Sequence, residues 1–193
     1  MDLTTHTRWV VLVEGPSDQA ALEALARRLG RDLVREGVEV VSIGGAHAVG
    51  RFLGDLPDDV RAAGLCDVGE IGPFGRALER AGAGAAGTRD ELEGLGFYVC
   101  DPDLEGELIR ALGAAGVEEV LARSGKLSSF RTFQKQPQWR GRPVEEQLRR
   151  FFGSSAGKTR HAPLMVAALD LDSIPLPLGA LLAHVGEGGL GRG

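Results

Sequence analysis

The sequence predicts an α/β protein: a mostly parallel four-stranded sheet flanked by helices, with a C-terminal helical extension. Three observations predict it. Short apolar runs alternate with longer segments whose apolar residues recur at helical spacing, which is the pattern of βαβ units. The first run, Val10 to Val13, is β-branched or aliphatic without a break, as a strand buried on both faces of a parallel sheet must be. The runs end, moreover, at or beside carboxylates or paired glycines, the residues of loops at a sheet's carboxyl edge.

In chain order, Gly15 and Pro16 stop the first strand, and Ser17 is the predicted N-cap of a helix that carries Ala20, Ala21, Leu22, Leu25 and Leu29 and ends near Gly30. Val38 to Ile43 form the second strand, closed by Gly44 and Gly45, which permit a tight turn beside the end of the first. Ala48 to Leu53 place Val49, Phe52 and Leu53 on one helical face. Ala62 to Asp67 read as a short third strand and residues 72 to 81 as a helix. Residues 82 to 94 read as a loose connection with a helical turn, and Phe97 to Cys100 as the fourth strand. Leu104, Leu108, Ile109 and Leu112 then mark a helix with Glu105 in its first turn. Ala162 to Leu169 and Leu178 to Leu182 read as closing helices. The expected division is 1–115 for the core, 116–185 for a basic helical extension packed on it, and 186–193 for a disordered tail.

With 43% hydrophobic and 25% charged residues over 193 positions, the composition is that of a globular chain with a real core. Cys66 and Cys100 match no metal spacing and fit a reduced, cytoplasmic setting. No apolar run approaches bilayer length, and the N-terminus lacks the regions of a signal peptide, so membrane insertion and secretion are disfavoured. The net charge of −5 hides an asymmetry: residues 1–120 hold 11 Arg against 22 acidic residues, whereas residues 121–160 hold 10 Lys plus Arg against Glu145 and Glu146 alone. An acidic half suited to cations precedes a basic segment suited to phosphates.

Glu14, Asp67 and the Asp101 to Glu105 loop follow three strands, and Asp18 lies in the first turn of the first helix. In a parallel sheet they share one edge. Crowded carboxylates repel, and a hard divalent cation with oxygen ligands, magnesium or manganese, answers that repulsion directly.

Val-Glu-Gly-Pro-Ser-Asp at 13–18, the paired glycines after strand two and Leu-Cys-Asp at 65–67 resemble the Toprim domain of topoisomerases, primases and nucleases. Asp-Leu-Glu at 103–105, together with Gly-Lys-Thr-Arg-His-Ala-Pro-Leu-Met at 157–165, resembles more narrowly the Toprim region of OLD-family (overcoming lysogenization defect) nucleases. The resemblance implies that Glu14, Asp18, Asp67 and Glu105 are ligands or close supports of divalent metals that activate water for phosphodiester cleavage. It gives Glu14 and Asp67 catalytic duty and has Lys158 steady the charge of the transition state. Where the family carries Asp-x-Asp after the third strand, this chain has Asp67, Val68, Gly69 and Glu70. Either Glu70 substitutes as a ligand or one metal site is weakened. The ATPase domain that precedes Toprim in OLD proteins is expected to be absent, so that any ATP dependence comes from a separate ATPase subunit.

Two motifs are set aside. Gly82, Gly84 and Gly87 fit G-x-G-x-x-G but follow a helical segment, so a linker is expected. Gly153 to Thr159 is one residue short of a phosphate loop and follows the helix of Leu148, Phe151 and Phe152. His6, His47, His161 and His184 read as structural or surface residues. In the basic segment, Phe130, Phe133, Phe151 and Phe152 are expected to dock the extension, and Arg140, Arg142, Arg149 and Arg150 to bind DNA. The expected function is metal-dependent DNA endonuclease. Its alternatives are a non-catalytic Toprim-derived module that binds DNA or an ATPase partner, and a primase-like nucleotidyl transferase.

Overall fold

All five side chains of strand β1 (Trp9–Val13) are buried, which is possible only in the middle of a sheet covered on both faces. A computed structural model describes residues 6–154 and 158–186 and places β1 there. The sheet order is β2-β1-β3-β4, with β2 at Val38–Ser42, β3 at Arg61–Asp67 and β4 at Phe97–Cys100. Every pairing is parallel: Trp9 to Val13 run beside Val38 to Ser42, Trp9 to Leu12 beside Arg61 to Gly64, and Gly64 to Asp67 beside Phe97 to Cys100. Four strand ends therefore open on one edge.

Alternation along β1 divides the core. Trp9, Val11 and Val13 face a cluster built with α1 (Pro16–Arg28), α5 (Leu104–Arg123), α7 (Val144–Ser154), α8 (Lys158–Ala168) and α9 (Leu176–Gly186). Val10 and Leu12 face a smaller one, in which Val49 of α2 (Val49–Gly54), Phe74 of α3 (Ile71–Arg80) and Leu92 of α4 (Arg89–Gly94) take part. Phe130 of α6 (Leu127–Gln134) is fully buried in the larger cluster. Phe133 stacks on it at 6.4 Å and Phe151 meets it edge-on at 5.3 Å, so the rings of the basic segment are packing residues.

One cap differs from expectation. The N-cap of α1 is Gly15, two residues before Ser17, because Pro16 is preorganised for the first helical position. Asp18 then falls at the third position and its Oδ2 accepts the Gly15 N–H at 2.8 Å. The glycine run after α3 is structural: a Cβ on Gly75 would stand 1.6 Å from the carbonyl oxygen of Ala86, so the connection lies directly on α3. The division at 115/116 falls inside α5, two residues beyond Gly113, whose φ of 67° and ψ of 162° break the helix. Apolar residues on both sides of that division share one core. Residues 187–193 of the expected tail lie outside the described residues. Among the described residues no helix is long and apolar enough to cross a membrane.

Candidate active site

In the order β2-β1-β3-β4 the chain leaves β1 to one side and returns on the other, so the crevice for a ligand opens at the carboxyl ends of β1 and β3. Glu14 follows β1 and Asp67 ends β3 there, and the two are joined directly: the Asp67 N–H donates to Glu14 Oε1 at 3.1 Å. The Glu14 backbone is fixed as well. Gly44 and Gly45, at φ 76° and 115°, turn back from β2 and donate both N–H groups to its carbonyl at 3.0 and 3.1 Å. A side chain is strained at these angles, which is why paired glycines stand here.

From the helices come the other acids. Asp18 caps the start of α1, and Ser17 beside it reaches Glu105 Oε1, in the first turn of α5, at 3.5 Å. Asp103 is the N-cap of α5 and accepts the Gly106 N–H at 2.7 Å. Glu70 ends the 3-10 turn Val68–Glu70 and is the N-cap residue of α3.

Burial and mutual repulsion shape the titration of this edge. Burial pushes Asp67 up to about 8, reinforced by the charges of Glu14, Asp18, Asp103 and Glu105. Burial likewise pushes Asp18 up to about 7, opposed by the Gly15 N–H and reinforced by Glu105 and Glu14. Glu14 is raised by burial, opposed by the Asp67 N–H and reinforced by Glu70. Glu14, Asp18, Asp67, Glu70 and Glu105 therefore lie within electrostatic reach of one edge, with Asp103, which the sequence places on that edge but does not single out as a ligand. Among the described residues, however, no three His, Cys, Asp or Glu side chains form a ready ligand shell. The donors are all oxygens, the chemistry a hard divalent cation takes, and side-chain rotation is needed to close a shell around one.

The four arginines expected on DNA divide. Arg140 donates to the Lys135 carbonyl at 3.2 Å; Arg142 donates to the Gln138 carbonyl at 2.9 Å, pairs with Glu146 at 3.6 Å and lies over the Trp139 ring at 5.2 Å. Arg150 is exposed on α7. Arg149 pairs with Asp103 at 3.3 Å, on the carboxylate edge itself. That contact joins residues 46 apart in the chain, beyond the reach of spacing arguments. Lys158 opens α8, and its side chain lies outside the described residues, as do residues 155–157 of its loop. Of the histidines, His161 is buried and His184 accepts or donates a hydrogen bond at 3.2 Å from the Tyr98 hydroxyl, both far from a ligating role.

Residues 7–56, which include Glu14 and Asp18, match the family model described as overcoming lysogenization defect protein-like, TOPRIM domain. No curated protein matches the chain. Solved structures share its fold, two of them as follows. The C-terminal region of the Xanthomonas campestris pv. campestris OLD protein, phased with platinum, is 22% identical, with 94% of this chain and 93% of that chain covered and a TM-score of 0.72. The C-terminal region of the Burkholderia pseudomallei OLD protein is 20% identical, with 95% and 99% covered and a TM-score of 0.69. The architecture is the Toprim fold of OLD C-terminal regions.

Proposed function

We propose, from this shared fold and the acidic edge it carries, that the chain is a divalent-metal-dependent DNA endonuclease that hydrolyses phosphodiester bonds. The observation that carries the reading is the meeting of Glu14 and Asp67 at the switch point, with Asp67 and Asp18 pushed to about 8 and 7. Carboxyls buried together are satisfied only by protons or by a cation. Toprim domains generally bind divalent metals, and magnesium or manganese suits this donor set. Glu14 and Asp67 would hold the ion, Asp18 and Glu105 would support it, and Glu70 would take the place that Gly69 leaves without a carboxylate. A bound cation of this kind lowers the pKa of water and stabilises a leaving oxygen.

The chain's own residues set the conditions. Asp67 and Asp18 carry protons near neutrality and must release them to serve as ligands, so cation affinity rises with pH through the range from about 7 to 8. The Asp67 amide holds Glu14 in place whatever the charge on either carboxyl. Lys158 is proposed to steady the transition-state charge, and Arg140, Arg142, Arg149 and Arg150 to hold DNA phosphates. A cytoplasmic setting accords with the buried, unpaired Cys66 and Cys100, and an ATPase subunit is the proposed protein partner.

Gly69 favours a second reading, a module that binds DNA without cutting it. One experiment separates the two: purified protein is incubated with supercoiled plasmid and Mg²⁺, Mn²⁺ or chelator. Nicking that needs the metal and disappears in Glu14→Gln and Asp67→Asn supports the nuclease. Retardation of DNA without nicking supports the binding module, and unchanged nicking by both variants places the chemistry elsewhere.

A further inference from the structure

Arg149 differs from the other arginines of its segment in where it is spent. Helix α7 is held rigidly: Leu148 and Phe152 are buried, and buried Gln147 donates to the carbonyls of Trp139 and Arg142 at 2.8 and 3.1 Å while accepting from Gln134 at 2.6 Å. From this mount Arg149 extends to Asp103, whose other oxygen is fixed by the Gly106 N–H. Two residues on, Glu105 belongs to the acidic edge. Arg110 and Arg89, two further cations at this loop, are committed to holding it: Arg110 pairs with Glu107 and donates to the Asp101 carbonyl, and Arg89 donates to the Val99 carbonyl and pairs with Asp101. The Arg149 contact with Asp103 is made at Nε, no hydrogen bond of its terminal nitrogens is found among the described residues, and the side chain is 49% exposed.

A half-exposed guanidinium held at Nε beside an acidic edge can offer its terminal nitrogens to a phosphate bidentately. Its pairing with Asp103 is half-exposed and hence weak, so a phosphate can displace the carboxylate. We infer that Arg149 is the contact for a DNA phosphate at the carboxylate edge, and that Asp103 holds its guanidinium in place until the phosphate replaces it. The inference rests on the DNA reading above but requires only binding, not cleavage.

The test is the binding of a short labelled DNA duplex in chelator, followed by fluorescence anisotropy across a salt series, with unchanged circular dichroism as the control for folding. Arg149→Ala should weaken binding about tenfold and make the slope of log affinity against log salt shallower by about one. Arg149→Lys should restore only part of the affinity, since a point charge replaces a fork. Asp103→Asn keeps a good N-cap and should tighten binding several-fold, and most of that gain should vanish in the Arg149→Ala background. If Arg149→Ala does not fold, Arg149→Lys and Asp103→Asn carry the test. An equal gain from Asp103→Asn in both backgrounds, an Arg149 variant with wild-type affinity and slope, or a wild type that binds no DNA overturns the inference. Coupled binding without nicking in Mg²⁺ or Mn²⁺ would leave it standing and defeat the nuclease reading. Nicking indifferent to Arg149 would do the reverse.

Discussion

Replacing Asp67 by Asn should stabilise the protein in the absence of metal, and by an amount that grows with pH. In the folded chain its carboxyl titrates at about 8 against an ordinary 3.8, burial being the first cause and Glu14 the second. Each pH unit of that gap corresponds to about 1.4 kcal/mol, so a wholly buried group would cost the folded state about 6 kcal/mol once ionised. Asp67 is partly open to water and titrates with its neighbours, which reduces the expected cost to about 1–2 kcal/mol. The sign follows from which state ionises first. Below about pH 4 both states hold the proton and Asn gains nothing; from there upward the unfolded chain ionises while the folded one resists, so the wild type loses stability until about pH 8 and the difference is constant above that. Asn cannot ionise, and the amide that donates to Glu14 is untouched. For a chain of this size the gain corresponds to a Tm about 2–8 °C higher at pH 8. Thermal unfolding with chelator at pH 4.5, 7 and 8.5 measures it. Adding Mn²⁺ should raise the wild type and leave the variant behind. A gap equal at pH 4.5 and 8.5, or a variant less stable at pH 8.5, would refute the reasoning.

Gly69→Asp should fit without strain, because a Cβ there meets nothing within 4 Å; isothermal titration should show tighter Mn²⁺ binding, and plasmid nicking should rise. Lys158→Ala should lower turnover about a hundredfold or more while Mn²⁺ affinity stays near wild type, with poor rescue by Lys158→Arg, as single-turnover cleavage would show. Replacing Arg140 and Arg150 together should make the salt slope of DNA binding shallower by about one to two units. Phe130→Ala, at a fully buried ring in contact with Phe133 and Phe151, should cost about 3–5 kcal/mol in urea unfolding.

The strands were legible because a doubly buried parallel sheet leaves an unambiguous mark: Val10 to Val13 carry no polar residue, and Glu14 and Asp67 stand where the apolar runs stop. Neighbouring positions in the chain carried the edge. The cap of α1 lies at Gly15 and not at the expected Ser17, because Pro16 outweighs a serine cap, and this gives Asp18 a structural bond to the Gly15 N–H at the acidic edge. Contacts across the fold left no local trace. Neither the Arg149 to Asp103 pair nor Ser17 beside Glu105, 88 residues apart, follows any sequence period. The division at 115/116 leaves no mark in the packing: Leu108 and Ile109 before it and Val117 and Leu121 after it pack into one cluster, as an extension packed on the core requires.

That shared core also ties the extension to the helix that starts at the carboxylate edge. Helix α1 starts at the edge with Asp18 and ends at Arg28, whose Nη1 donates to the carbonyls of Val166 and Leu169 at 2.6 and 2.8 Å, at the end of α8. A cation on the last carbonyls of a helix satisfies groups that the helix itself leaves unpaired. It also fixes direction: the two helices pack against each other and their C-terminal ends meet, so α8 runs alongside α1 and opens on the same side of the molecule. Thirteen residues of α1 and eleven of α8 rise about 20 and 16 Å, so the starts of the two helices lie at similar depth. The residue at the start of α8 is Lys158. The bond that Arg28 makes at the far end of α1 thus aligns α8 with α1, which supports the duty proposed for Lys158 at the edge where Asp18, Glu14 and Asp67 meet.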